Sequence, residues 1–193
     1  MNEPNDPREQ EAAMVREELA RCGVPRRHAQ KAELRRQPGW AGALGEAARL
    51  CARKGAVVAL LGPRGTGKTQ IAAELLRAAV ADRRSVRYGT AVELFLDVRA
   101  AMGARNRTEA DAVADWCRPS LLVIDELQER KGTGFEAGLL AAVVDRRYGA
   151  LRDTVLVANA DRAGFEALAG DGIVSRLNET GGIIRCDWPS FRG

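Results

Sequence analysis

Apolar residues recur along this chain in two rhythms. Unbroken runs occur at 56–61 (AVVALL), 121–124 (LLVI) and 155–158 (VLVA). A run without alternation is apolar on both faces, which suits a central strand of a parallel sheet. Elsewhere apolar positions fall three and four apart, the helical spacing. Val15, Leu19 and Cys22 share one face of a helix that starts at Asp6-Pro7-Arg8-Glu9 and runs to Arg21. That start combines an acceptor cap, a proline at the first helical position and a glutamate completing a capping box, and Gly23-Val24-Pro25 ends it. Leu44, Ala48 and Cys51 mark a second helix over 42–54, and Ile71, Leu75, Leu76 and Ala79 a third over 69–84, with Arg83 and Arg84 suiting its negative end. Further helices are predicted at 91–102, 109–117, 135–148 and within 163–180, with strands at 85–88, 121–125, 154–159 and 182–187. Residues 1–5 read as disordered, and the basic, polar stretch 26–40 as a linker with some helical content. Strands alternating with helices predict a three-layer α/β domain with a central parallel sheet over 41–193, preceded by a helical N-terminal arm and linker over 1–40.

The first apolar run feeds Gly62-Pro63-Arg64-Gly65-Thr66-Gly67-Lys68-Thr69, and a helical pattern leaves it. This is the phosphate-binding loop G-x-x-x-x-G-K-[ST] in its strand–loop–helix context. Glycines let backbone approach clustered phosphate charges, and N–H groups at the following helix start point at them. Lys68 is expected to reach the outer phosphates and the Thr69 hydroxyl to hold Mg²⁺. Of the 30 basic residues only Lys31, Lys54, Lys68 and Lys131 are lysines. The loop thus keeps a compact point charge in a chain that otherwise favours arginine.

The run 121–124 ends in Asp125-Glu126, placing two carboxylates at the carboxyl end of a buried strand, where open α/β sheets bind ligands. There Asp125 is expected to hold Mg²⁺ through water and Glu126 to polarise an attacking water. Asn159 follows the next apolar run. It is either a turn asparagine or an amide placed to orient that water and sense the γ-phosphate. Arg176, in Ser175-Arg176-Leu177, is either a surface helix arginine or a finger for a neighbouring subunit's ATP. Arg192 is a second, weaker candidate.

Composition narrows the context. Hydrophobic residues make up 46% and charged residues 29% of 193, as in a soluble globular protein, and one domain is expected. No apolar run approaches membrane-spanning length and the first residues are polar, so neither membrane span nor signal peptide is expected. Cys22, Cys51, Cys117 and Cys186 lie far apart and His28 is the single histidine. The expectation is reduced cysteines in a cytoplasmic protein and no zinc site. A net charge of +4 is compatible with nucleic acid without establishing it.

Taken together, GPRGTGKT, LLVIDEL, Asp145-Arg146-Arg147-Tyr148, TVLVAN, Ser175-Arg176-Leu177 and the close Cys186-Asp187-Trp188-Pro189-Ser190-Phe191-Arg192 resemble a family. They look like AAA+ ATPases of the bacterial and phage helicase-loader (DnaC-like) type and the closely similar IstB-like transposition helpers. The resemblance begins at Cys22-Gly23-Val24-Pro25-Arg26. It implies an ATPase whose cis site is Lys68, Thr69, Asp125, Glu126 and Asn159, with ATP and Mg²⁺ as cofactors. It implies self-association through Arg176 as a trans arginine finger, and Arg192 as a second sensor. The implied partners are a replicative helicase, gripped by the N-terminal segment, and single-stranded DNA; the alternative is a transposase on duplex DNA. The insert 91–118 would match the element that lies near single-stranded DNA in initiators, with Phe95 and Arg99 as contacts; the alternative, which is the stronger one for Phe95 and evenly balanced for Arg99, is Phe95 in the core and Arg99 in solvent. Three departures stand out. Ser175 occupies a position usually held by aspartate, Gln128 follows Leu127 where the family often has glycine, and with the chain stopping at Gly193 little or no C-terminal lid is expected.

Overall fold

The computed structural model describes residues 7–30, 37–129 and 132–191. Five strands form one sheet: β1 (Val57–Leu61), β2 (Val86–Thr90), β3 (Leu121–Asp125), β4 (Asp153–Ala158) and β5 (Gly182–Arg185). Their order is β2-β3-β4-β1-β5 and every pairing is parallel. The three unbroken apolar runs are the three inner strands, and each is buried along its whole length.

Alternate residues of these strands feed two cores. Val58, Leu60, Val123, Val155 and Val157 pack with α3 (Pro38–Cys51) and α4 (Lys68–Ala81), and Leu19 of α1 (Pro7–Arg21) joins them. Val57, Ala59, Leu61, Leu122, Ile124 and Leu156 face the other way. They meet α5 (Ala91–Ala101), α6 (Glu109–Cys117), α7 (Gly134–Gly149), α8 (Arg162–Ala169) and α9 (Asp171–Thr180). The result is three layers, as the period-two geometry of a doubly covered sheet requires. No helix among the described residues is long and apolar enough to cross a membrane.

The N-terminal region differs from the predicted linker. After Gly23-Val24-Pro25 the chain forms a short α2 (Arg26–Ala29), which Gln70 and Arg77 of α4 hold by donating to the carbonyls of His28 and Ala29. Gly23, at φ +98°, comes so close to strand β2 that a Cβ would lie 2.4 Å from the Tyr88 carbonyl oxygen. The Tyr88 N–H donates to the Cys22 carbonyl, covering the edge of the sheet there. The next helix starts at Pro38, with the Gln37 side chain accepting from the Trp40 N–H, so Trp40 lies in α3 and is fully buried. Helix α4 ends at Ala81, short of the predicted end. Arg83 turns the chain at φ +56°, and Arg84 pairs with buried Asp153.

One buried cation braces the far side. Arg147 of α7 donates to Thr154 Oγ1 at 2.9 Å and to the carbonyls of Cys117 and Pro119 at 3.0 and 2.7 Å. It thereby satisfies carbonyls at the end of α6 that the helix itself cannot. Burial lowers its guanidinium to about 10.

Candidate functional site

A cavity of about 350 Å³ opens at the carboxyl edge of the sheet, lined by Gly65, Gly67, Lys68, Thr69, Asp125 and Glu126 among others. Residues 62–67 link β1 to α4, whose first residue is Lys68. The Lys68 ammonium donates to the carbonyls of Gly62 and Pro63 at 2.8 and 2.7 Å, and the Thr66 hydroxyl closes the turn on Pro63 at 3.1 Å. Trp40 Nε1 donates to the Gly67 carbonyl at 3.1 Å and Trp188 Nε1 to the Thr66 carbonyl at 2.9 Å.

Asp125, buried at the end of β3, accepts three hydrogen bonds. Thr69 Oγ1 and the Tyr88 hydroxyl both donate to its Oδ2 at 2.8 Å, and the Glu126 N–H donates to its Oδ1 at 2.7 Å. Burial, with Asp125 beside it, pushes Tyr88 above the usual phenol range, so its proton stays in that bond. A hydroxyl and a carboxylate oxygen in contact form a hard oxygen pair that fits Mg²⁺. Glu126 turns outward at φ +56°, a left-handed geometry uncommon for a residue with a side chain. Partial desolvation at the cavity wall, then Asp125 and Glu129, hold its carboxyl above the usual carboxylate range.

The remaining candidates separate by position. Asn159 lines this cavity and also a neighbouring one of about 630 Å³ on the far side of Gly62 and Pro63. Its backbone N–H donates to Gln128 Oε1 at 2.9 Å. Gln128, which stands where the resembled family often has glycine, therefore ties the turn after the carboxylates to the end of β4. Arg64 pairs with Glu129 at 2.8 Å on the rim. Arg176 lies on α9 and does not line the phosphate-loop cavity; it is held by Asp145 at 3.4 Å and over the Tyr148 ring at 4.8 Å. Arg192 lies outside the described residues.

The alternatives for the insert are decided at Phe95. Phe95 is buried in the core between the sheet and α5–α9, because its place on α5 faces inward with Leu94 and Val98; it is not a nucleic-acid contact. Arg99 is exposed but sits over the Phe135 ring at 5.2 Å and 3.9 Å from Glu136. The exposed apolar residues of α5 are Val92 and Leu96.

Several residues that sequence reasoning missed complete the site: Tyr88, Gln128, Trp40, Trp188, and the pair Arg27–His28 on the cavity's other wall. His28 Nδ1 lies 2.9 Å from Gln70 Oε1, and Arg27 Nε donates to His28 Nε2 at 3.1 Å, an arrangement that suits a neutral ring with its proton on Nδ1. The Gly23-Val24-Pro25 signal was the sequence's one pointer to this wall.

The chain is similar to known proteins in sequence and in fold. The replicative helicase loader DnaC of Buchnera aphidicola (subsp. Acyrthosiphon pisum, strain APS) is 26% identical over 133 residues, 68% of this chain and 54% of the relative. The chain thus spans about half the length of the curated relatives it matches. Among solved structures, the DnaC helicase loader superposes with a TM-score of 0.63 at 17% identity, covering 81% of this chain and 92% of that one. The replication initiator DnaA bound to AMPPCP and single-stranded DNA gives 0.65 at 17% identity, covering 77% and 45%. These likenesses show that the fold is shared with those proteins. A family described as IstB-like ATP binding protein matches residues 47–177, more than half the chain, and the protein belongs to that family.

Proposed function

We propose that this protein is an ATPase that docks on a replicative hexameric helicase and helps place it on single-stranded DNA, with ATP binding and hydrolysis controlling assembly and release. The observation that carries the ATPase part is the contact of Thr69 and Asp125 at the foot of the phosphate loop. The loader part rests on the likeness to DnaC. The second reading, an ATPase assisting a transposase on duplex DNA, is favoured by the name of the matching family.

In this reading Lys68 and the loop N–H groups of residues 65–69 bind the phosphates, and Lys68 exchanges its two loop carbonyls for phosphate oxygens. Thr69 and Asp125 would hold Mg²⁺, which would supply charge neutralisation when bound. Tyr88 keeps Asp125 aimed. Glu126, on its outward turn, accepts a proton from the attacking water, and Asn159 orients that water. Arg176 is offered to a neighbouring copy's ATP, where its charge stabilises the transition state. The 1–40 segment provides the helicase grip, through the exposed face of α1 that carries Met14, since Leu19 on the opposite face is buried in the core. Single-stranded DNA runs past the exposed side of α5.

The deciding experiment is co-purification with the cognate replicative helicase in ATP, stoichiometry read by native mass spectrometry. A stable complex is expected, weakened at least tenfold by Met14→Glu with folding intact. Absence of a complex, together with ATP-dependent filaments on duplex DNA, would establish the transposition reading instead.

Glu126→Gln should keep ATP binding and reduce turnover by about 10²-fold or more, the range for a general base. Because the Glu126 pKa is raised, its carboxylate is lost as pH falls while still above the ordinary carboxylate range. The acid limb of the rate profile should therefore begin early and vanish in the variant; an unchanged limb removes Glu126 as the base.

Tyr88→Phe should raise the Mg²⁺ concentration needed for half-maximal nucleotide binding by about tenfold, as loss of an outer-shell partner does. Equal Mg²⁺ dependence in titrations with a fluorescent nucleotide would show that Tyr88 is structural.

Arg176→Ala alone should lower turnover about 10³-fold. Mixed with an equally inactive Lys68→Ala chain, it should regain activity at interfaces pairing an intact site with an intact finger. A fully active monomeric Arg176→Ala protein rules out the trans role.

A further inference from the structure

Three successive carbonyls of the phosphate loop are held from outside it. The Gly65 carbonyl accepts the Phe191 N–H at 2.9 Å, the Thr66 carbonyl accepts Trp188 Nε1 at 2.9 Å, and the Gly67 carbonyl accepts Trp40 Nε1 at 3.1 Å. In a trans peptide the C=O and the next N–H point in opposite directions. Fixing these three oxygens outward therefore turns the N–H groups of Thr66, Gly67 and Lys68 to the opposite side, that of the cavity that Gly65, Gly67 and Lys68 line. A row of N–H groups so presented is an anion-binding nest.

The three donors come from two places. Trp40 belongs to α3 and is fully buried, so its contribution is part of the core. Trp188 and Phe191 belong to the segment that follows β5, outside any helix or strand. That segment is pressed onto the loop. A Cβ on Gly65, at φ +87°, would lie 2.0 Å from Ser190 Oγ, and a Cβ on Gly39 of α3 would lie 2.9 Å from the Trp188 ring. Phe191 also lines the cavity itself, with Arg27 and His28.

We propose that residues 188–191 are a working part of the nucleotide site, with Trp188 the positioning residue for the phosphate loop, so that docking of this segment and binding of a nucleoside di- or triphosphate favour each other. The inference rests on the nucleotide reading above. Two of the three outward anchors are on a segment tethered to the core through β5, whereas the phosphates need all three N–H groups at once. Linkage makes the effect reciprocal: whatever factor the docked segment adds to nucleotide affinity, bound nucleotide adds to docking. Each nucleotide state thus sets how firmly the chain beyond β5 is held against the loop.

The test uses the full chain and N-methylanthraniloyl-ADP with Mg²⁺. Trp188→Phe removes the indole donor and keeps an aromatic ring. It should weaken binding about fivefold to tenfold, the worth of one net hydrogen bond, while the circular-dichroism melting transition stays cooperative. In the unmodified protein, hydrogen exchange at the Phe191 amide should slow by at least that factor when ADP saturates the site. Lys68→Ala is the control and should abolish binding. Binding by Trp188→Phe as tight as that of the unmodified chain, with Lys68→Ala inactive, overturns the inference and leaves the nucleotide reading standing. So does Phe191 exchange that is indifferent to ADP, which needs no variant at all. An unmodified chain that fails to bind the probe overturns both.

Discussion

Three strands lie side by side with no polar residue facing either layer until their ends, and the rest of the molecule follows from that constraint. Strands β3, β4 and β1 are buried throughout, so each must be covered on both faces, and a sheet covered on both faces is built from crossover connections that run its strands parallel. Parallel strands finish at one edge. The phosphate loop, Asp125 and Asn159 therefore emerge together although about a hundred residues separate the first from the last. The chemistry at that edge then depends on short contacts across it, above all Thr69 and Tyr88 on one oxygen of Asp125.

Polarity that enters the layers is confined and paired. Asp153 starts β4 and accepts from the Ala56 N–H at 3.0 Å while holding Arg84, and Arg147 answers the carbonyls at the end of α6. Both sit near the edge opposite the phosphate loop. Removing Asp153 would orphan the Ala56 N–H and the Arg84 guanidinium, and removing Arg147 would orphan the carbonyls it answers; unsatisfied buried groups cost more than the bonds themselves contribute. Burial also pushes the Cys51 and Cys186 thiols up to about 12, so these two are packed as small apolar side chains.

What the sequence revealed and what it concealed divide along one physical line. The runs at 56–61, 121–124 and 155–158, the loop motif and the paired carboxylates are local patterns, and each found its predicted place. Trp40 was read as linker because nothing within 26–40 reveals that its indole meets a carbonyl 27 residues later. From the sequence Tyr88 is one residue of a short strand. Its role arises because β2 lies beside β3, bringing its hydroxyl to Asp125. Gln128 counted as a departure from a family pattern, yet its side chain caps the backbone of Asn159, 31 residues on. Phe95 goes the other way: an aromatic on the insert invites a functional reading, but the core placement weighed against it holds, since Leu94, Phe95 and Val98 form the inward face of α5 and leave Val92 and Leu96 outside. Pattern finds the loop and the carboxylates; topology is needed to find the residues that hold them in place.

The placement of Arg176 extends this argument beyond one chain. It lies away from the cavity that holds Lys68, and its charge is met by Asp145 and the face of Tyr148, whose own hydroxyl donates to Glu179 at 2.8 Å. An arginine half-exposed on a helix usually spreads over several rotamers; this one is braced between a carboxylate and a ring, with its Nε buried. Such bracing lowers the entropy lost when the guanidinium meets an anion on another molecule, and the Asp145 contact, at 3.4 Å and on an exposed carboxylate, is weak enough to exchange. In the proposed reading the carboxyl edge of one copy would need a cation at its phosphates and the α9 face of another would hold one ready. An assembly built that way would be heterologous, head to tail, and such an interface extends into a ring or a helix rather than closing as a two-fold dimer.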